Sequence, residues 1–446
     1  MCFEQAARVS RFLAVGVALT GALIALDLRA APGSIQDAER QLEQLQAREL
    51  IELKLPGPNW PAPNPDEEKR MAEEYVRSMV RAWNLSAVEE SQLRARVMAR
   101  LQASLLVRPP TRYENPVTYR LVRRWVGIIE ETAKSNFDAE QLRQINRIVF
   151  GTLQSAEVNA AHIPTPAGDS LIVFNAGWFP FAELMSRAVA MAMPLYLAQD
   201  ERLPGGRWQA LSTEEGEVRR HLAQNEQILN RFFQPLFSYL TTGRLDSGIA
   251  PHFFDPVDEP REGVANMYYD AMGLFVVAHE FGHAVQNSAL KIPTVSKSGG
   301  RGWDEIRYNW EQEFQADNLG VVLSYLALER RPQNLAAILA SVSFFLKSID
   351  LVRRGASLIA TGRENVVNIS THPPPTARLQ SIRLKLREFL RERQGVGYSE
   401  NAWEQAVTDA ARLERVMDIL WERTSPWLLD ARKRGATVAP AFNQKD

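Results

Sequence analysis

Cysteine is nearly absent from this sequence: Cys2 is the only one among 446 residues. The rest of the chain can therefore form neither an internal disulfide nor a thiolate zinc site. Histidine is scarce as well, so any metal site must combine a few histidines with Asp or Glu. The six histidines are His162, His221, His252, His279, His283 and His372.

The chain also lacks an excess of charge of either sign. Its 52 basic and 53 acidic residues give a net charge of −1, which offers no electrostatic footprint for nucleic acid. No block of like charge is long enough to act as a binding tail. Hydrophobic residues make up 45% of the chain, which is enough for a large core and for two or three structural units.

The N-terminal residues have the pattern of a targeting segment. Arg8 and Arg11 precede an uncharged apolar run over residues 12–26, which Asp27 ends. The run is short for a membrane span and suits a signal peptide over residues 1–31, although the cleavage site is poor. An uncleaved anchor formed by residues 12–26 stays open as the alternative. Both interpretations predict an exported protein, periplasmic or otherwise extracytoplasmic.

Periodicity predicts a mainly α-helical protein with a small β-sheet, of the α+β class. Short extended segments at 157–163 and 170–174 supply the sheet, and helical patterns cover most of the remainder. The predicted units are a helical N-terminal region at 34–150 with a Pro-rich linker at 56–65, a catalytic unit at 151–395 with a helical insertion at about 199–262, and a C-terminal helical segment with a loose tail at 396–446.

The segment His279-Glu280-Phe281-Gly282-His283 is an H-E-x-x-H motif. Residues four apart lie on one face of a helix, so the two imidazoles can converge on one ion. Glu280 lies beside the first histidine and can act as a general base without binding the metal. The motif predicts a metal ligand pair, His279 and His283, with Glu280 as the catalytic acid and base.

A catalytic zinc needs a third protein ligand and an open fourth position. Glu313 and Asp317 are also four apart and share a helix face with Ala316 and Gly320. Small residues on that face allow this helix to approach the metal helix closely. We therefore expect Glu313 to complete the ligand set for one Zn²⁺ per chain. Asp317 is expected to orient a ligand histidine through its second ring nitrogen.

The two motifs together resemble those of a known family. HEFGH at 279–283, EFQAD at 313–317 and THPPPTAR at 371–378 are similar to the motifs of the gluzincin peptidases of the HtpX and CAAX-prenyl-protease kind. The resemblance covers roughly residues 155–390 and implies a zincin-like catalytic unit. It places His372 at the cleft, where we expect it to donate to the oxyanion of the transition state. Arg378 is expected to make a structural pair, with Asp317 as its candidate partner.

Two features depart from that family. A long insertion separates the predicted strand at 170–174 from His279, and the apolar run at 335–346 is too short for a membrane span. The sequence therefore predicts a soluble or singly anchored endopeptidase that acts on protein or peptide substrates. Envelope protein processing or quality control is the expected setting, without an identified regulatory partner.

Some alternatives remain at this level. The chain could be an exported zinc-containing binding or chaperone-like protein without catalysis, or a helical scaffold without a metal. The strand at 171–174 could pair with an extended substrate or be a plain core strand. His162, His221 and His252 lack ligand spacing and are expected at the surface or in local hydrogen bonds.

Overall fold

The structure is a computed structural model, and its side chains and backbone are described for most of the chain. The described residues are 34–52, 65–82, 85–106, 108–155, 158, 160–165, 168–199, 207–245, 257–289, 303–328, 334–364, 373–393 and 399–439. The predicted targeting segment, almost all of the Pro-rich linker, His252 and His372 lie outside these ranges.

The protein is mainly helical with a small sheet, as the sequence predicts. The helices are α1 Ser34–Glu52, α2 Pro65–Ala82, α3 Ala87–Leu106, α4 Pro116–Asn136, α5 Ala139–Ile145, α6 Trp178–Ala192, α7 Glu215–Gln224, α8 Glu226–Thr242, α9 Glu259–Ala289, α10 Trp303–Leu328, α11 Asn334–Thr361, α12 Pro375–Glu392 and α13 Glu400–Lys433. The strands are β1 Ile148–Leu153, β2 Ala160–Pro164, β3 Ser170–Asn175, β4 Leu195–Gln199 and β5 Arg207–Leu211.

A three-stranded mixed sheet has the order β1-β3-β2. β1 runs parallel to β3, and β2 runs antiparallel to it. The central strand β3 pairs with a strand on each side and is buried along its whole length, so it has no free edge for a substrate. Of the two alternatives for residues 171–174, the plain core strand is therefore the one that holds. β1 and β2 are the two strands at the edges of this sheet. Strand β1 was not predicted from the sequence; it follows shortly after helix α5, which begins with a capping box formed by Asp138 and Gln141.

The two faces of the sheet pack against different helices. On one face, Ala38 and Leu42 of α1 pack against Leu171 and Val173 of β3. On the other face, the alternate residues of β3 join the large core built around α9. The sequence predicted a boundary at residue 150 between the N-terminal helical region and the central unit. In the structure this boundary falls inside β1, and the elements on its two sides share one core.

Helix α9 lies at the centre of the molecule, where it contacts α2, α4, α6, α10, α11 and β2. A methyl group on Gly273 of α9 would lie 2.4 Å from the Trp125 ring of α4, so the two helices approach each other through a glycine. Phe150 of β1 stacks on Phe281 of α9 with ring centroids 5.4 Å apart. These contacts hold the metal-motif helix against both the sheet and the N-terminal helices.

The predicted helical insertion is only partly helical. It contains α7 and α8, but β5 at its start pairs antiparallel with β4, which lies at its boundary. At the C-terminal end α13 packs along α11. Beyond it, Ala439 is buried and its N–H donates to the carbonyl of Leu240, so the described part of the predicted loose tail is packed.

Within the described residues, one helical stretch is long and apolar enough to cross a membrane, at Leu335–Thr361 of α11. More than half of its apolar window is buried inside the protein. It contacts α13, α9 and α12.

Candidate metal centre

Helix α9 brings two imidazoles together on one face. The Nε2 atoms of His279 and His283 are 3.2 Å apart, and the two rings meet edge to face with centroids 4.7 Å apart. The opposite side of the helix carries Val277 and Phe281, which are fully buried in the core. The spacing of four residues, together with this apolar anchoring, fixes the histidine pair on a rigid element.

Helix α10 supplies an acidic ligand to the same point. Glu313 places Oε1 at 3.4 Å from Nε2 of His283 and Oε2 at 3.7 Å from Nε2 of His279. The approach of the helices depends on small residues. A methyl group on Gly282 would lie 2.7 Å from the Cα of Ala316, and one on Gly320 would lie 3.0 Å from the backbone nitrogen of His279.

The three side chains fit a metal ion. A tetrahedral zinc with bonds of about 2.0–2.1 Å has its ligand atoms about 3.3–3.4 Å from one another. The two imidazole Nε2 atoms are 3.2 Å apart, and each lies 3.4–3.7 Å from a different oxygen of Glu313. One ligand atom from each of the three residues lies within 4.8 Å of the other two. The group of His279, His283 and Glu313 can therefore hold a metal ion. Two imidazoles and a carboxylate suit zinc, although imidazole also binds copper, iron and nickel.

Asp317 and Arg378 form a buried ion pair behind the ligands. Arg378 donates from Nε and Nη2 to the two carboxylate oxygens of Asp317, both at 2.7 Å. Its Nη1 also lies 3.3 Å from Oε2 of Glu313. Asp317 is fully buried and its Oδ1 lies 3.0 Å from Nδ1 of His279. The predicted pairing of these two residues is therefore present, at the location expected for a group that orients His279.

The local charges favour a cation at this site. Burial alone lowers the pKa of His279, but Asp317, Glu313 and Glu280 outweigh burial and raise it above its ordinary value. Burial raises the pKa of Asp317, but Arg378 and His279 outweigh it and hold that carboxyl below its ordinary pKa. The carboxylates that favour a protonated imidazole would equally favour a metal ion bound to the neutral ring.

The remaining predicted site residues differ in their placement. Glu280 is only 6% exposed and lies beside His279 on α9, within the same charged cluster. His372 lies outside the described residues, and its assigned role stays a prediction. The described chain resumes at Pro373, and helix α12 then brings Arg378 to the cluster. His221 makes a local hydrogen bond to the carbonyl of Met191, as expected.

His162 is the residue that sequence reasoning missed. It lies on β2 with its ring nearly parallel to that of His283, at a centroid distance of 6.3 Å. Its Nε2 lies 2.9 Å from Oγ of Ser170 on the neighbouring strand. Burial, assisted by the charge that His283 can carry, lowers the pKa of His162 to about 4. The only sequence signal was its place in the extended segment predicted at 157–163.

The edge strand lies next to the metal motif. β2 contacts α9 and pairs with β3 on one side, and no strand within the described ranges pairs with its other side. An edge strand beside a metal site can pair with an extended peptide through its backbone. The expectation of substrate pairing therefore moves from β3 to β2.

Comparison with known proteins adds no relative. No protein-family model, curated protein or solved structure matches this chain. The fold and the site define a mainly helical α+β protein in which two histidines of the central helix α9 and a glutamate of α10 form a group that can hold a metal ion.

Proposed function

We propose that this protein is a zinc-dependent endopeptidase that hydrolyses peptide bonds of protein substrates. The observation that carries the proposal is the convergence of His279, His283 and Glu313, whose ligand atoms lie within 4.8 Å of one another, with Glu280 next to the first ligand. The similarity of the three sequence motifs to those of the gluzincins supports it. Three protein ligands are typical of catalytic zinc, whereas structural sites are closed by four.

Each residue of the cluster has a separate task in this proposal. His279, His283 and Glu313 hold the ion, with Asp317 fixing the tautomer and orientation of His279. Arg378 balances the charge of Asp317 and limits the movement of Glu313, which it contacts from the side. Zinc bound in this cluster would supply a Lewis acid that polarises the carbonyl and makes water nucleophilic near neutral pH.

Glu280 moves the proton. Its carboxylate accepts a proton from the attacking water and later returns it to the nitrogen of the leaving amine. Its burial keeps bulk water from competing for that proton. His372, at the position that the family resemblance assigns to the cleft, is proposed to donate to the oxyanion of the tetrahedral transition state.

Strand β2 is proposed to bind the substrate as an extended segment. Backbone pairing gives affinity that does not depend on a particular side-chain sequence, which suits a peptidase that processes or removes envelope proteins. Export by the N-terminal segment, with or without retention as an anchor, is part of the same proposal.

The test is the substitution Glu280→Gln, with Glu311→Gln as the matched control. Glu311 lies on α10 close to the ligand Glu313, but its side chain is exposed. Hydrolysis of an unfolded protein substrate and zinc content are measured on the same samples. Glu280→Gln should keep its zinc and lose on the order of 10²–10⁴ in rate, whereas Glu311→Gln should match the wild type.

The same assay distinguishes the proposed peptidase from the non-catalytic alternative. A zinc-containing binding or chaperone-like protein would show no hydrolysis in the wild type, and Glu280→Gln would leave its peptide binding unchanged. Retention of full hydrolysis by Glu280→Gln with zinc in place would refute the proposed mechanism.

A further inference from the structure

The two histidines of the cluster differ in the contact made by Nδ1, the ring nitrogen that does not face the metal site. Nδ1 of His279 lies 3.0 Å from Oδ1 of Asp317. Across the part of the chain that the structure describes, no carboxylate is within ion-pair distance of Nδ1 of His283, whose recorded polar neighbours all face Nε2. Histidine ligands of metals almost always have an outer partner that fixes the ring. Packing against a neighbouring ring is a second way to fix the orientation of His283.

The ring of His162 is in position to provide it. It lies nearly parallel to the His283 ring, with 16° between the planes and 6.3 Å between the centroids. That distance is within the range of about 4.5–7 Å for offset stacking of aromatic rings. The His279 ring contacts His283 edge-on from another direction. His283 thus lies between two rings, one from its own helix and one from the sheet.

His162 is itself held in place by the sheet. It pairs with Ile172 of β3 in the register of the strands, and its Nε2 lies 2.9 Å from Oγ of Ser170. Its neighbour on the same face, Ala160, packs against the core that contains α9. Backbone pairing and the contact with Ser170 together fix the ring plane, so His162 is a rigid support and not a mobile surface side chain.

We propose that His162 is a positioning residue that sets the ring orientation of the metal ligand His283 through stacking. It does for His283 by packing what the carboxylate of Asp317, 3.0 Å from Nδ1, does for His279 by its charge. The inference rests on the metal centre of the proposed function, but it does not require that the bound metal catalyse hydrolysis. It also connects edge strand β2, proposed to bind the substrate, to one of the metal ligands. The contact would keep β2 and the metal centre in a fixed relative position.

The test compares His162→Leu with His162→Phe. Leucine fills much of the same space without a planar ring, whereas phenylalanine keeps the ring and loses both nitrogens. Zn²⁺ affinity is measured on the full chain by competition with a chelating indicator, and Co²⁺ is used as a spectroscopic probe of ligand geometry. His162→Leu should bind Zn²⁺ about tenfold more weakly, the lower end of the loss for an outer-shell partner, and should change the visible Co²⁺ spectrum. His162→Phe should stay within about threefold of the wild type because the stack remains.

His221→Leu is the control, since His221 is a partly buried histidine away from the cluster whose hydrogen bonds go to Met191 on α6 and to Asn225, between α7 and α8. It should bind Zn²⁺ as the wild type does. The proposal is overturned if His162→Leu binds Zn²⁺ with wild-type affinity, or if His162→Phe is as weak as His162→Leu. Should the Leu variant unfold, weak Zn²⁺ binding by His162→Phe would still overturn the proposal, because it contradicts a role for the ring.

The result is independent of the peptidase proposal. A protein whose Zn²⁺ affinity depends on the His162 ring but which cleaves no substrate supports this inference and refutes the proposed function. A protein that hydrolyses peptides but binds Zn²⁺ equally well in His162→Leu supports the proposed function and refutes this inference.

Discussion

Replacing Asp317 by Asn should weaken both the fold and the metal site. Asp317 is fully buried, and it accepts two 2.7 Å hydrogen bonds from Arg378, which is only 5% exposed. Asparagine keeps one acceptor but removes the charge and turns an N–H group toward the guanidinium. Leaving one member of a buried ion pair uncompensated costs about 3–5 kcal/mol. Glu313 lies 3.3 Å from Arg378 and offsets part of the loss, so we expect about 3 kcal/mol.

The same substitution should reduce zinc affinity for a different reason. His279 loses the charged group 3.0 Å from its Nδ1, and Arg378, without its main partner, attracts Glu313 away from the metal. Loss of an outer partner of this kind costs about 10–100-fold in metal affinity. Stability is measured by urea unfolding with the metal chelated, and affinity by competition with an indicator.

A double variant separates the two effects. Asp317→Leu combined with Arg378→Met replaces the buried pair by apolar groups, which is often neutral for stability. Stability should therefore recover, whereas zinc affinity should not. Asp430→Asn is the control, because Asp430 pairs with Lys433 on the exposed surface of α13, where a pair contributes less than about 1 kcal/mol. Wild-type zinc affinity in Asp317→Asn or in the double variant would refute this account of the ion pair.

Three further changes test other parts of the account. Burial raises the pKa of Glu114 to about 7, although the hydrogen bonds that Glu114 accepts from Thr152 and Gln46 act to lower this pKa. Glu114 loses its proton at a lower pH in the unfolded chain than in the folded protein. The free energy of unfolding should therefore fall by about 3 kcal/mol as pH rises from about 4.5 to about 7. Glu114→Gln should remove this pH dependence in urea unfolding. Gly282→Ala should cost about 1–3 kcal/mol by forcing α9 and α10 apart, measured by the same method. His372→Phe should lower kcat and kcat/KM together by roughly 10²–10³ in steady-state kinetics, and a change in KM alone would contradict the assigned role.

The parts of the site that local spacing determines could be predicted from the sequence. His279 and His283 share a helix face through their spacing, and Glu313 and Asp317 do so on a second helix. Small residues facing each other explain why the two helices come together. These relations need only helix geometry and the chemistry of metal ligands, and the structure brings all four side chains to one place.

The parts that depend on contacts distant in sequence could not be predicted. His162 reaches His283 only because β2 packs against α9, and no period or spacing connects the two residues. The short apolar run of β1 suits a strand or a buried helix equally well, and only its parallel pairing with β3 decides. That pairing also places β3 in the centre of the sheet, which decides between the two alternatives for residues 171–174 in favour of a plain core strand.

The most direct test of the central claim is a zinc titration of the metal-stripped wild type with hydrolysis of an unfolded protein as the readout. We expect no hydrolysis without metal. As zinc is added, the rate of hydrolysis should rise and reach a plateau at one zinc per chain. Glu280→Gln, titrated in parallel, should bind the same amount of zinc and remain inactive. Activity that persists in the stripped wild type, or that returns with zinc in Glu280→Gln, would contradict the account.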